Sequence, residues 1–165
     1  MIWLHWLMAA ALVVMVLFGL IMAGLPRGDD TKQWMLYVHL GLGLMVLVAA
    51  IWRLRLRQTR PVPPLPEPYR PWERWLVGFV HGGFYALMLL MPLAGLSVWL
   101  LDPFLGGPGL AGQSLAFTEL AARIYTVHYL GAWLLIVLVV VHLAGALRGQ
   151  FGKDAGRRVL RRMLP

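Results

Sequence analysis

Five histidines, His5, His39, His81, His128 and His142, sit within long apolar stretches of this 165-residue chain. An ionisable ring in a membrane core is costly, so each one is a candidate functional group. A single histidine near a helix end could simply reach the headgroups. Five of them, with no Asp, Glu, Lys or Arg in the same stretches, point instead to shared chemistry. His128 and His142 are fourteen residues apart. That spacing advances a helix by ~21 Å and rotates it to within ~40° of four full turns. The two rings then lie near opposite ends of one helix and point to nearly the same side. Two stacked metal centres that share a helix need this arrangement. Zinc wants three or four protein ligands. Two imidazoles at one depth, on different helices and without carboxylates, better suit the two axial positions of a b-type haem.

The elements that carry these rings follow from composition. The chain is 60% hydrophobic and 13% charged, with a mean hydropathy of +0.71. Soluble domains run near half apolar and a quarter charged. The absence of Cys removes disulfides, thiolate metal sites, iron–sulfur clusters and covalent haem attachment. Four stretches reach the ~20 apolar residues that a bilayer crossing needs, at about residues 2–25, 34–52, 75–101 and 124–147. The expected fold is an all-α integral membrane protein, a bundle of four transmembrane helices. Its transmembrane domain spans residues 1–150, and a basic amphipathic tail at 151–165 lies on the anionic inner leaflet.

Charge orients the spans. Fifteen Lys and Arg against seven Asp and Glu leave a net +8. In a soluble protein that would suggest nucleic acid, but groove-binding surfaces do not contain such apolar runs, and nucleic acid is excluded as a partner. Twelve of the basic residues follow span two or span four, including Arg53, Arg55, Arg57, Arg74 and Arg148; Arg27, Lys32 and Arg123 lie on the other side. The positive-inside rule then puts both termini in the cytoplasm. With that orientation His39 and His128 share an outer level, and His5, His81 and His142 share an inner one. Gly43, Gly131, Gly145 and Ala9 lie three or four residues after a histidine, on its own helix face, where they let a flat ring approach the backbone.

The connections have their own signatures. Span one lacks a basic leader and exceeds an ordinary signal-peptide core in length, so it reads as a retained helix. Six prolines between Pro61 and Pro71 make an extended cytoplasmic strap. The segment from Asp102 to Ala122 reads as an irregular Gly-rich loop with a helical turn at Thr118–Ala122. Trp3, Trp6, Trp34, Trp52, Trp72, Trp75 and Trp99 are expected in the aromatic belts.

Taken together, Leu4-His5-Trp6-Leu7, Tyr37-Val-His39-Leu-Gly-Leu-Gly43, the proline strap, His81-x-x-x-Tyr85 with Met91-Pro92-Leu-Ala-Gly95, and the His128/His142 pair resemble the bacterial cytochrome b561 family. That group is related to the cytochrome b subunits of nickel–iron hydrogenases and formate dehydrogenases. The resemblance covers about residues 3–148 and implies a bundle with two b haems that passes electrons between a quinone and another redox partner. It implies His39 and His128 as axial ligands of the outer haem, the same pair that depth alone selects. It implies His5 and His142 for the inner haem, where depth leaves His5 and His81 both open. His81 is then placed beside a quinone pocket, or serves as the alternative inner ligand. Arg53, Arg74 and Arg148 are candidate partners of the inner haem propionates, and Lys32 and Arg123 of the outer ones.

The expected function is electron transfer between ubiquinone or menaquinone and a redox partner protein, in a bacterial inner membrane. Membrane lipid surrounds the chain, and a homodimer is an allowed assembly. A second reading is a superoxide oxidase that reduces ubiquinone; an outer-side charge of −1 does not favour steering of that anion. A third is a haem-free four-helix transporter or assembly partner that uses histidines as proton relays.

Overall fold

The computed structural model describes residues 2–26, 28–59, 70–102, 105 and 115–151. Four helices account for nearly all of them: α1 (Ile2–Gly24), α2 (Asp30–Thr59), α3 (Pro71–Leu101) and α4 (Leu115–Phe151). Each is long and apolar enough to cross a membrane. In hydrocarbon a helix satisfies its backbone internally, so such runs have little alternative. Many large side chains face outward, among them Trp3, Val48, Leu90, Val127 and Val140. Outward apolar side chains of this kind suit a lipid environment.

Local signals set the helix ends. Gly24 closes α1, and Pro26 cannot continue it. Gly28 adopts a φ of +83°, a conformation that glycine takes without steric cost. The Asp29 side chain then caps α2 by accepting a hydrogen bond from the Lys32 backbone N–H at 3.1 Å. The Lys32 ammonium reaches back to the Leu25 carbonyl at 2.8 Å, joining the end of α1 to the start of α2.

Five span boundaries lie four or more residues outside the sequence expectation; α2 begins at Asp30 and α4 ends at Phe151, and the other three bear on the site. α2 does not stop near Trp52 but runs on to Thr59, carrying Arg53, Arg55 and Arg57 beyond the apolar run. α3 starts at Pro71 rather than Trp75. α4 starts at Leu115 rather than Ile124, so Thr118–Ala122 is part of a continuous helix and not an isolated turn. The reason is common to all three: bilayer thickness limits the apolar run, not the helix. The flanking residues, rich in Leu, Ala, Arg and Glu, are themselves helix formers. Most of the proline strap, the Gly106–Gly109 segment and the tail from Gly152 onward lie outside the described residues.

Successive helices pack along the chain, α1 on α2, α2 on α3, and α3 most extensively on α4. α1 and α4 approach each other much less closely. The buried centre is small: Met8, Ala11 and Met15 of α1, Val46 and Ala50 of α2, and Met88 of α3. In sequence each of these residues follows the one histidine of its helix, His5, His39 or His81, so the core lies between the two histidine levels. At the Arg-rich end of the bundle, the buried Glu73 of α3 accepts a hydrogen bond from the Arg70 backbone N–H at 2.8 Å. Its other oxygen lies 3.6 Å from the Arg148 guanidinium of α4, which also stands over the Trp72 ring at 5.9 Å.

Glu73→Ala is expected to lower stability in detergent by about 1–2 kcal/mol, through loss of a helix cap and a buried acceptor. Arg148→Ala should cost less, about 0–1 kcal/mol, because its side chain is 66% exposed and screened. Equilibrium unfolding followed by helical circular dichroism measures both.

Candidate functional site

All five histidines find another histidine. At one level His39 of α2 faces His128 of α4, with ring centroids 6.1 Å apart and planes inclined by 58°. At the other, His5 of α1 faces His142 of α4 at 6.3 Å and 59°. Two imidazoles bonded to one metal ion at about 2.0 Å each, with ring centres ~1.1 Å further back, have centroids about 6 Å apart. Both pairs match that spacing. Among the described residues no group of three or more His, Cys, Asp or Glu comes together as a metal site. The donor sets that zinc prefers are therefore not formed there, whereas a haem iron asks the protein for only two axial ligands.

His81 also reaches His142, but differently. Their centroids are 5.5 Å apart and the rings meet edge to face at 84°. Its Nδ1 lies 2.8 Å from the Val77 carbonyl one turn back on α3, as a donor to that oxygen. The bond fixes the ring and leaves Nε2 as the nitrogen available to a ligand. Phe84 packs edge-on against His142 from the same helix, at 5.5 Å. Arg53 is close enough to act electrostatically on His5, His81 and His142 alike. Arg57 stands over the Tyr85 ring, one turn beyond His81, at 5.9 Å. Of the expected propionate partners, Arg148 is directed at Glu73, and Arg123 is exposed.

The His39–His128 level is built around a cavity of about 570 Å³, within the ~300–1,000 Å³ typical of cofactor pockets. Met15, Gly19, Met91 and Gly95 line it beside the two rings, and Lys32 and Trp99 line it further toward the α1–α2 turn. The Trp99 indole nitrogen is buried without a hydrogen-bond partner, and Nδ1 of His39 and of His128 make no hydrogen bond of ordinary geometry, although the Met15 and Met91 backbones lie beside the two rings. Buried polar atoms are nearly always satisfied. Their grouping around one cavity fits a site whose geometry is completed by a bound group.

Neighbouring residues add detail that periodicity does not supply. Trp99 does not stand out in an aromatic belt; it lines the cavity. Trp3, Trp34, Trp52, Trp72 and Trp75 are exposed, as belt residues should be. The glycines that touch the imidazoles themselves lie on the neighbouring helices. A Cβ on Gly19 of α1 would touch His39 Cε1 at 3.6 Å, and one on Gly95 of α3 would meet His128 Cε1 at 3.0 Å. Gly43 and Gly131 face Met15 and Met91 instead, and nothing lies within 4 Å of Gly145. Which residue meets which ring depends on how the helices are rotated against each other. Periodicity within one helix cannot supply that.

The chain is similar to known proteins along its whole length. The sequence pattern of the family described as prokaryotic cytochrome b561 matches residues 1–165. A protein of Escherichia coli (strain K12) named cytochrome b561 homolog 2 is 30% identical over 169 aligned positions, covering 97% of this chain and 86% of that one. A haem A synthase of Allorhizobium ampelinum (strain ATCC BAA-846 / DSM 112012 / S4) is 25% identical over 150 positions, covering 84% of this chain but 40% of the synthase.

Proposed function

From the chain's membership of the prokaryotic cytochrome b561 family, which implies haem b and electron transfer in a membrane, we propose that it is a dihaem electron carrier. The observation that carries this reading is the two imidazole pairs, at 6.1 and 6.3 Å, one near each end of the bundle. His39 and His128 hold the haem at the cavity level, and His5 with His142 hold the second. A haem held by two imidazoles would supply one-electron chemistry, which favours electron transfer over oxygen activation. The protein holds the two sites apart with the Met8, Met15, Val46 and Met88 partition and keeps that layer dry. With the Arg-rich end in the cytoplasm of a bacterial inner membrane, electrons move along the bundle between its two faces.

At the Arg-rich end, we assign His81 to a quinone site. Its Nδ1 is committed to Val77, so Nε2 can accept a proton from a quinol hydroxyl. Arg53, near all three imidazoles, balances a haem carboxylate at this level. At the cavity level Lys32 and the unpartnered Trp99 N–H serve the corresponding carboxylate. Ubiquinone or menaquinone and a separate redox protein are the partners in this reading. Superoxide as electron donor is the second reading, supported by Lys32 on the cavity wall. Haem-free transport loses ground to the family assignment.

Haem-replete membranes containing the protein should show b-type bands in a reduced-minus-oxidised spectrum, and a pyridine haemochrome assay should give two haems per chain. Their absence would sink the carrier reading. His128→Ala should remove one haem and His142→Ala the other, whereas His81→Ala should keep both and slow reduction by added quinol. Reduction of the oxidised protein by superoxide faster than by quinol would favour the second reading.

Trp99→Phe should weaken retention of the cavity-level haem about tenfold, as expected for loss of a hydrogen bond to a charged group. Dilution of the detergent-purified protein into excess apomyoglobin, followed by haem transfer, measures it.

A further inference from the structure

Around the cavity the same contact pattern occurs twice, once in each helical hairpin. In α1–α2, His39 of the second helix lies against Gly19 of the first, and Met15 of the first lies against Gly43 of the second. In α3–α4, His128 lies against Gly95, and Met91 lies against Gly131. Met and Gly are four residues apart on the first helix in both hairpins, and the Gly follows the His by four or three on the second. Each helix therefore presents a glycine notch and a filling side chain to its neighbour. The backbones of Met15 and Met91 face the His39 and His128 rings respectively, so each methionine position contacts both the notch and the ligand.

The two copies are not equally tight. A Cβ at Gly19 would meet His39 at 3.6 Å and one at Gly43 would meet Met15 at 3.5 Å, both ordinary contacts. A Cβ at Gly95 would lie 3.0 Å from Cε1 and 3.4 Å from Nδ1 of His128. One at Gly131 would overlap the Met91 sulfur and approach Met91 Cε to 3.1 Å. A Cβ at Gly95 requires the His128 ring to give by a few tenths of an ångström, whereas the flexible Met91 thioether can move aside from one at Gly131.

We propose that Gly95, with the Met91–Gly131 contact behind it, is the positioning element that fixes the His128 imidazole plane relative to His39. The looser Gly19 notch leaves His39 the compliant ligand of the pair. This rests on the dihaem reading and adds which residues set the electronic character of one haem. The angle between two axial imidazole planes governs the splitting of the ferric d orbitals. It is therefore read directly in the low-spin electron paramagnetic resonance signal, and it contributes to the midpoint potential.

Gly95→Ala and Gly19→Ala, made separately in the haem-loaded protein, test the proposal. Gly95→Ala should move the low-spin resonance and the midpoint potential of the haem that His128→Ala removes, leaving the other haem's signals in place. Gly19→Ala, at the looser notch, should move the same haem's signals by clearly less than Gly95→Ala does. Selective loss of the cavity-level haem in Gly95→Ala, with the other intact, also supports the proposal. An unchanged resonance and potential in Gly95→Ala would overturn it, and so would an equal shift in Gly19→Ala. A wild-type protein without low-spin b-type signals would instead defeat the dihaem reading itself, so the two failures are distinguishable.

Discussion

A polar ring placed in hydrocarbon has to be matched by something, and in this bundle the match comes from other polar rings on other helices. The five imidazoles lie in stretches without a formal charge, and each is within 6.3 Å of another. Lipid-facing surfaces supply no such partner, so the requirement dictates which faces of α1, α2, α3 and α4 turn inward. It also explains why the apolar core is so slight. In a membrane the interior need not be more hydrophobic than the exterior; packing fit and polar matching decide the arrangement. The methionines and small residues between the two levels fill space rather than drive association.

Charged groups have a separate role at the Arg-rich end. Glu73 begins α3 and Arg148 lies near the end of α4, so their contact joins the two helices where they leave the apolar zone. A carboxylate buried at a helix N-terminus is favourably placed relative to the helix dipole and also satisfies the Arg70 backbone N–H. Arg53 and Arg57 use the extension of α2 to stay beside the imidazole cluster and Tyr85. These residues do more than set orientation in the membrane. Arg53 brings positive charge beside His5, His81 and His142, and Arg57 beside His81.

Much of this was readable from residue order. Apolar runs marked the four helices, and the 1.5 Å helical rise sorted the histidines into the two levels that the structure displays. The fourteen-residue spacing put both α4 rings on one side. Other features were not readable, for one physical reason. The roles of Gly19, Gly95 and Trp99 depend on the rotation of one helix against another, and sequence periodicity describes each helix alone. The same limit hid the Met15–Gly43 and Met91–Gly131 contacts between helices. Helix ends were missed differently: Leu115 to Arg123 form helix because nothing in them stops it, although they lie outside the apolar run.

The pairing of rings across the bundle also orders events in time. Each imidazole pair takes one member from the α1–α2 hairpin and the other from α4: His39 with His128, His5 with His142. A chain made from its N-terminus has His5 and His39 in the membrane while both of their partners are still unsynthesised. Neither site can close around a guest until the last helix arrives, and α4 then completes both at once.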